Sequence, residues 1–462
     1  MRGIVIGMYE YLLRLFPVIN DPHKEPQERL AALREIPPRG PANTSGVNNH
    51  IHTVYSFSPY TPSMAALRAW DAGLEAAGSV DHDSTGAAEE MRAAAACLGI
   101  GCCCGFEARA SFKTSQDGSP SPLRDRKINN PDSLGIGYMT VQGIPAPSLP
   151  QAQEFLAPIR AARFERICAM AARLSALLED KGFPALDMQE DLLKMSLYPR
   201  GGTLTERHLL AAAARLFIRR LGPGAPLLQA IKTRFGLSLP PETEALLANE
   251  ANPCYLFDLV GALKPTLLPQ VFIQPAEDEC IPAKTLTGFA RAIGAVPAYA
   301  YLGDVGKSPT LDKAAEAFED AYLDALFDEL SALGFSAVTY MPPRNTRAQI
   351  SRVQRLCAEK GFMEISGMDI NSPRQPFSCP EAQLPDFRRL TDSTWALVAH
   401  ERLASLEPRF GLFSPENPYA AAPLAKRLKL YAALGRELDR SRPEESACAL
   451  ARKLREGLPG IG

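Results

Sequence analysis

Ala76-Ala77-Gly78-Ser79-Val80-Asp81-His82-Asp83 is a run of five small or apolar residues that ends in three polar ones. A short uninterrupted apolar run reads as a buried strand. The polar groups at its end read as one edge of a site. Working outward, the pattern recurs on both sides. Upstream, Asn48-Asn49-His50-Ile51-His52 carries two of the chain's six histidines with one residue between them. On a strand, those two side chains point to the same face. Between the two runs, Thr61-Pro62 can cap and start a helix that continues through Trp70, because Pro is tolerated in a first turn. Downstream, an alanine-rich helix over 87–98 leads to a third run, Ile100 to Phe106, which ends in Glu107. Three successive predicted strands therefore end in residues able to bind a metal, with helices between them. Strand–helix alternation with polar chemistry at the strand C-termini predicts a parallel α/β fold, a barrel being the strongest case.

The chain has 462 residues, 46% hydrophobic and 22% charged, enough for a large buried core. A net charge of −2 makes no electrostatic case for nucleic acid or an anionic membrane, so the expected partner is a small molecule. The ten cysteines have no zinc-finger spacing, and no disulfide framework is expected at this length, which fits a reducing cytoplasm. Cys102-Cys103-Cys104 read as part of a buried strand, with 102 and 104 on one face and 103 on the other. The apolar start over 1–12 is broken by Glu10 and shows no convincing signal-peptide cleavage site. It reads as an amphipathic helix, followed by a polar linker over 21–43. Nothing in the chain reaches the length of a membrane span.

Further along, 113–130 reads as a long polar surface loop and Ile136–Gly143 as a fourth strand. From Gln151 to about Leu239 the texture is helical, and alternation resumes with strands over 292–301, 335–340 and 362–368. Helices are predicted over 311–333 and 346–360. The expected partition is an N-terminal helix and linker over 1–43 and a barrel over 44–400 with a mainly helical insertion at about 150–265. A helical C-terminal extension over 401–462 completes it.

The His50/His52 pair alone could be a metal pair or two surface histidines. The wider constellation separates these readings. His50-Ile51-His52-Thr53, Val80-Asp81-His82-Asp83, Gly105-Phe106-Glu107 and Gly367-Met368-Asp369-Ile370-Asn371 are similar to the ordered motifs of the PHP (polymerase and histidinol phosphatase) superfamily, over roughly 46–375. The resemblance implies a distorted (β/α)7 TIM-like barrel with a divalent-metal centre at its C-terminal mouth, and hydrolysis of phosphate esters. It implies His50, His52, His82, Glu107 and Asp369 as ligands, with Glu107 able to bridge two ions and Asn371 coordinating through its carbonyl oxygen. Asp81 would orient an imidazole. Imidazoles and carboxylates suit Zn²⁺, Mn²⁺ or Fe²⁺.

Four positions depart from the family pattern. Phe57 stands where an acidic ligand is usual. Gln142 is the best-placed polar residue of the fourth strand, Tyr301 replaces a His in Ala300-Tyr301-Leu302, and Asn371 replaces the final His. The expectation is therefore a depleted centre with one metal site and a second left open. Glu206-Arg207-His208 resembles an Arg-Pro-His element, which implies that His208 binds or protonates the leaving group. Arg109, Arg344 and above all Arg374 are candidates to grip a phosphate. His23 and His400 read as structural. The expected function is a metal-dependent phosphoesterase acting on a small phosphorylated substrate. The alternatives are a degenerate member that binds without turnover and a nuclease-type phosphodiesterase.

Overall fold

The computed structural model describes residues 14–37, 46–305 and 317–456. The helix expected over 1–12 and the first part of the one expected over 311–333 lie outside them. Seven strands form one sheet in sequential order: β1 (Gly46–Ile51), β2 (Leu74–His82), β3 (Gly101–Ser111), β4 (Ile136–Gln142), β5 (Val296–Ala300), β6 (Ala337–Tyr340) and β7 (Met363–Ser366). The sheet curls until β1 meets the chain just past β7. Ile51 bridges Ile370, His52 N donates to Ile370 O at 2.9 Å, and Ile370 N donates to His50 O at 3.0 Å. This is a barrel of seven strands, as the resemblance implied.

It is not all parallel. β4 runs antiparallel to both β3 and β5, while the other neighbours pair in parallel. The cause lies in the connection. Parallel neighbours need a crossover, usually helical, and the segment between β3 and β4 holds no α-helix. The close pairing also depends on Gly105, where a Cβ would lie 1.9 Å from Val141 O.

Alternation along β3 assigns its two faces. Cys102, Cys104, Phe106, Ala108 and Ala110 join the core between barrel and outer helices, and Cys103 joins a second core inside the barrel. Glu107 and Arg109 share the inward face of Cys103 and line a cavity above it. The helix Arg388–Leu406 closes the opposite end. Its Trp395, Ala396 and Leu397 pack with Val47, Ala76, Cys103 and Met363, and Thr394 Oγ1 accepts from Asn49 Nδ2 at 2.9 Å. The expected boundary at residue 400 thus falls within a helix that belongs to the barrel's floor.

Between β4 and β5 the chain forms the helices Leu149–Asp180, Glu206–Leu221, Ala225–Phe235, Pro241–Ala248 and Tyr255–Val271, most of which share a separate hydrophobic core. The segment expected as linker contains a helix. Pro26–Arg34 is a helix, and its buried Arg29 donates through Nε to Glu90 Oε1 at 2.8 Å. Polar composition hid this contact, because the docking group is itself charged. All ten cysteines are free, as expected.

Candidate metal centre

Strand register brings the candidate ligands together. His82 pairs with Glu107 across β2 and β3, while His50 and His52 stand at and just past the end of β1. His50, His52 and Glu107 offer one ligand atom each, all within 4.8 Å of one another and all buried. His50 Nε2 lies 3.5 Å from Glu107 Oε1, and His52 Nε2 lies 3.8 Å from Glu107 Oε2. His82 and Asp369 flank them, with His82 Nδ1 3.0 Å from Glu107 Oε2 and Asp369 Oδ1 3.4 Å from His52 Nε2. Close as His82 Nδ1 is, its angle is not that of a hydrogen bond, and His50 Nδ1 is also buried without a partner. Buried imidazole nitrogens are rarely left unbonded. These rings converge without satisfying one another, which fits a cation between them.

Protonation supports the same reading. Burial, then the neighbouring His82, His50 and Arg207, holds the His52 imidazole well below its usual range, so the ring is neutral and can coordinate. Burial opposes the charge of Glu107, but His82, His50 and Arg163 together outweigh it and keep the carboxyl below its ordinary value. Asp81 acts one residue removed from the ring. It accepts from Ser56 Oγ, Thr53 N and Thr53 Oγ1, each at 2.6 Å, and Ser56 Oγ lies 3.3 Å from His52 Nδ1. The single Ser56 proton goes to Asp81, so Nδ1 must carry the His52 proton, leaving the Nε2 lone pair toward Glu107 and Asp369.

Asn371 lines the cavity, but its amide already has two partners. Its carbonyl oxygen, the side-chain atom able to coordinate, accepts from Arg207 Nη1, and its Nδ2 donates to Asp369 Oδ1 at 2.7 Å. Gln142 is displaced. Because β4 is reversed, Gln142 sits toward the barrel floor, beside Asn49 O and Thr140 Oγ1, and Tyr138 faces the site instead, its ring 5.5 Å from His82. Tyr301 borders the cavity, but its hydroxyl donates to Asp320 Oδ1 at 2.6 Å. Phe57 meets His208 and Phe257 edge-on or tilted, joining the cavity to the insertion.

Neither His208 nor Arg374 lines the cavity. His208 Nδ1 accepts from Thr205 N at 3.1 Å and completes the helix cap with the Thr205 hydroxyl. Burial drives its pKa down to about 3, which makes it a poor proton donor near neutrality. Arg374 makes a bidentate pair with Asp258, both contacts at 2.6 Å, and so fastens the loop after β7 to the insertion. Arg344 donates to Leu302 O. Arg109 lines the cavity, but its charge is matched: Nη1 meets Glu279 at 2.9 Å and Nη2 meets Glu206 at 2.8 Å.

Residues with no place in the expected site are Tyr138, Arg207 and Lys264, all of which line the cavity. Arg109 Nε donates to the Tyr138 hydroxyl at 2.9 Å, so the Tyr138 proton must point elsewhere. Burial pushes that hydroxyl up to about 12 and keeps it protonated. A local signal for Arg207 was present in the sequence. Thr205 three residues before His208 has the spacing of a capping box, which commits His208 to the helix start and leaves Arg207 to face inward.

No family model matches the chain, and no curated protein sequence does. Solved structures do. One, provisionally described as a metal-dependent phosphoesterase from Bifidobacterium adolescentis, is 18% identical with a TM-score of 0.48, covering 76% of this chain and 96% of its own. Another, an amidohydrolase from Chromobacterium violaceum with bound sulfate and no metal, is 19% identical with a TM-score of 0.45, covering 75% and 95%. Likeness at this level assigns no chemistry, and the reading below rests on the geometry.

Proposed function

We propose that the protein is a metal-dependent hydrolase acting on a phosphate ester of a small molecule. The observation that carries this reading is the convergence of His50, His52 and Glu107, with the His52 lone pair turned inward by Ser56. These three would hold a divalent ion (Zn²⁺, Mn²⁺ or Fe²⁺). His82 and Asp369 flank them and would be the residues to hold a second. A divalent ion there supplies Lewis-acid chemistry and makes water a nucleophile near neutral pH.

The chain's own residues supply the rest. Arg207 and Lys264 bring positive charge from the insertion to the cavity wall and favour an anionic substrate. Tyr138 lines the cavity with its hydroxyl protonated, and would be the candidate to give a proton to a departing oxygen. A phosphatase screen with Mn²⁺, Zn²⁺ and Fe²⁺ on wild type and Glu107→Ala tests the reading. Metal-dependent release of phosphate is expected, falling to background in the variant. Activity indifferent to Glu107→Ala would overturn the site. A binding protein without turnover is the second reading, favoured by the commitment of Asn371 and Tyr301 to other contacts. Metal uptake with no hydrolysis across a broad panel would select it.

A further inference from the structure

We infer that Arg207 is a substrate-gripping residue whose fixed guanidinium supplies, beside the metal-binding cluster, positive charge that a further metal ion would otherwise bring, and that Asn371 is the positioning residue that holds it there. The inference rests on the metal-hydrolase reading for what occupies the cluster, but not for the placement of the cation.

Asn371 is 8% exposed, and its amide is divided between two partners. The carbonyl side receives Arg207, and the NH2 side holds Asp369, itself 3.4 Å from His52. The amide cannot be rotated freely, because exchanging its ends would set NH2 against a guanidinium and carbonyl against a carboxylate. Its backbone is held too, since Gln375 Oε1 accepts from Asn371 N at 2.7 Å and from Ser372 N at 2.8 Å. One neutral side chain thus fixes an Arg on one side and a carboxylate of the cluster on the other.

Half-buried Arg207 differs from the buried arginines nearby. Arg109 and Arg166 pair with Glu206 and Glu279, and Arg163 pairs with Glu279 and Asp83. Among the described residues Arg207 forms no ion pair with a carboxylate, and its charge-bearing fork is bonded to neutral Asn371. A guanidinium has five donors, so a hydrogen bond to Asn371 leaves others for a ligand. A planar fork held beside imidazoles that can take a cation suits two oxygens of one phosphoryl group. An ordinary carboxamide or alcohol would not need it.

The test is binding of inorganic phosphate by calorimetry to the full chain saturated with Mn²⁺, alongside metal content by elemental analysis. Arg207→Ala is expected to keep the wild-type metal content and bind phosphate about 10- to 100-fold more weakly, the range for losing a charge-assisted hydrogen-bonding pair. Arg207→Lys should recover only part of that loss, since it keeps the charge and loses the fork. Asn371→Ala should weaken phosphate binding by a smaller factor. Added to Arg207→Ala, it should cost less than it does alone, because only its hold on Asp369 is then left to lose. Wild-type affinity in Arg207→Ala, or an additive double variant, would overturn the inference, as would no phosphate binding by the wild type. Arg207-dependent phosphate binding without any metal uptake would instead sustain the role of Arg207 and remove the metal-hydrolase reading.

Discussion

At His52 the position of a proton matters as much as the position of the ring. The chain Asp81–Ser56–His52 places that proton on Nδ1 using one hydroxyl, since Ser56 has a single hydrogen and Asp81 takes it. Ser56→Ala removes the acceptor while leaving every candidate ligand in place. Metal affinity measured by competition with a chelator should fall about tenfold, the lower end for losing an outer-shell partner, whereas His52→Ala should abolish tight binding. Unchanged affinity in Ser56→Ala would mean that the tautomer is set some other way. Much of this site was legible in the sequence. His50, His52, His82, Glu107 and Asp369 each sit at or near a strand end within a short motif, and short motifs survive without knowledge of the fold. What was not legible depends on distance along the chain. The partners Arg207 and Asn371 are 164 positions apart, and nothing local to Asn371 says that its oxygen is already used.

Among the elements, β4 departs from the parallel pattern that strand–helix alternation predicts. A strand's composition is nearly the same in either direction, so the sequence locates a strand from Ile136 and leaves its direction open. That reversal put Gln142 on the floor and Tyr138 in the site. The helix Leu149–Asp180 carries the opposite lesson. Arginine inside a helix carries no local mark of burial, yet Arg163 and Arg166 are buried and meet Glu279, Glu206 and Asp83. Arg163 Nη1 lies 2.6 Å from Asp83 Oδ2, an ion pair without the alignment of a hydrogen bond. Glu279 is the centre of this cluster. Burial alone would raise its carboxyl, but Arg163, Arg166 and Arg109 hold it at about 2. Glu279→Gln keeps the shape and removes the charge that three guanidinium groups share. Breaking a buried ionic group from one side costs about 3–5 kcal/mol. Thermal unfolding should therefore show a clearly lowered midpoint, with loosening expected where the insertion meets β3. A midpoint within a degree or so of wild type would show that the arginines find other partners.

Across the whole molecule, two neutral histidines outside the candidate ligand set make the fold sensitive to acid. His400 lies in the floor helix, where its Nδ1 accepts from Leu412 N at 2.9 Å. His208 caps the insertion helix in the same sense, through Nδ1 and Thr205 N. Burial drives His400 down to about 4. The Gly143 and Gly294 backbone favours the charged ring slightly, without a well-aligned hydrogen bond to Nε2. An unfolded histidine takes its proton near pH 6.5. Between there and pH 4 the unfolded chain therefore binds more protons than the folded one, and stability falls as pH falls through that window. For His400 alone the loss reaches about 3 kcal/mol at pH 4 and below, from the gap between the two pKa values. The contribution is fully present above about pH 6.5. His400→Gln, whose side chain can still accept from Leu412 N, should unfold at a lower temperature than wild type at pH 7.5, because the fit around the ring is lost. It should also lose less stability than wild type on going from pH 7.5 to 4.5. The comparison belongs in chelator-treated protein, so that acid release of a metal adds nothing to the slope. Equal slopes in the two proteins would show that the His400 ring is already solvated in the folded state, and that the barrel floor opens before the rest of the barrel unfolds.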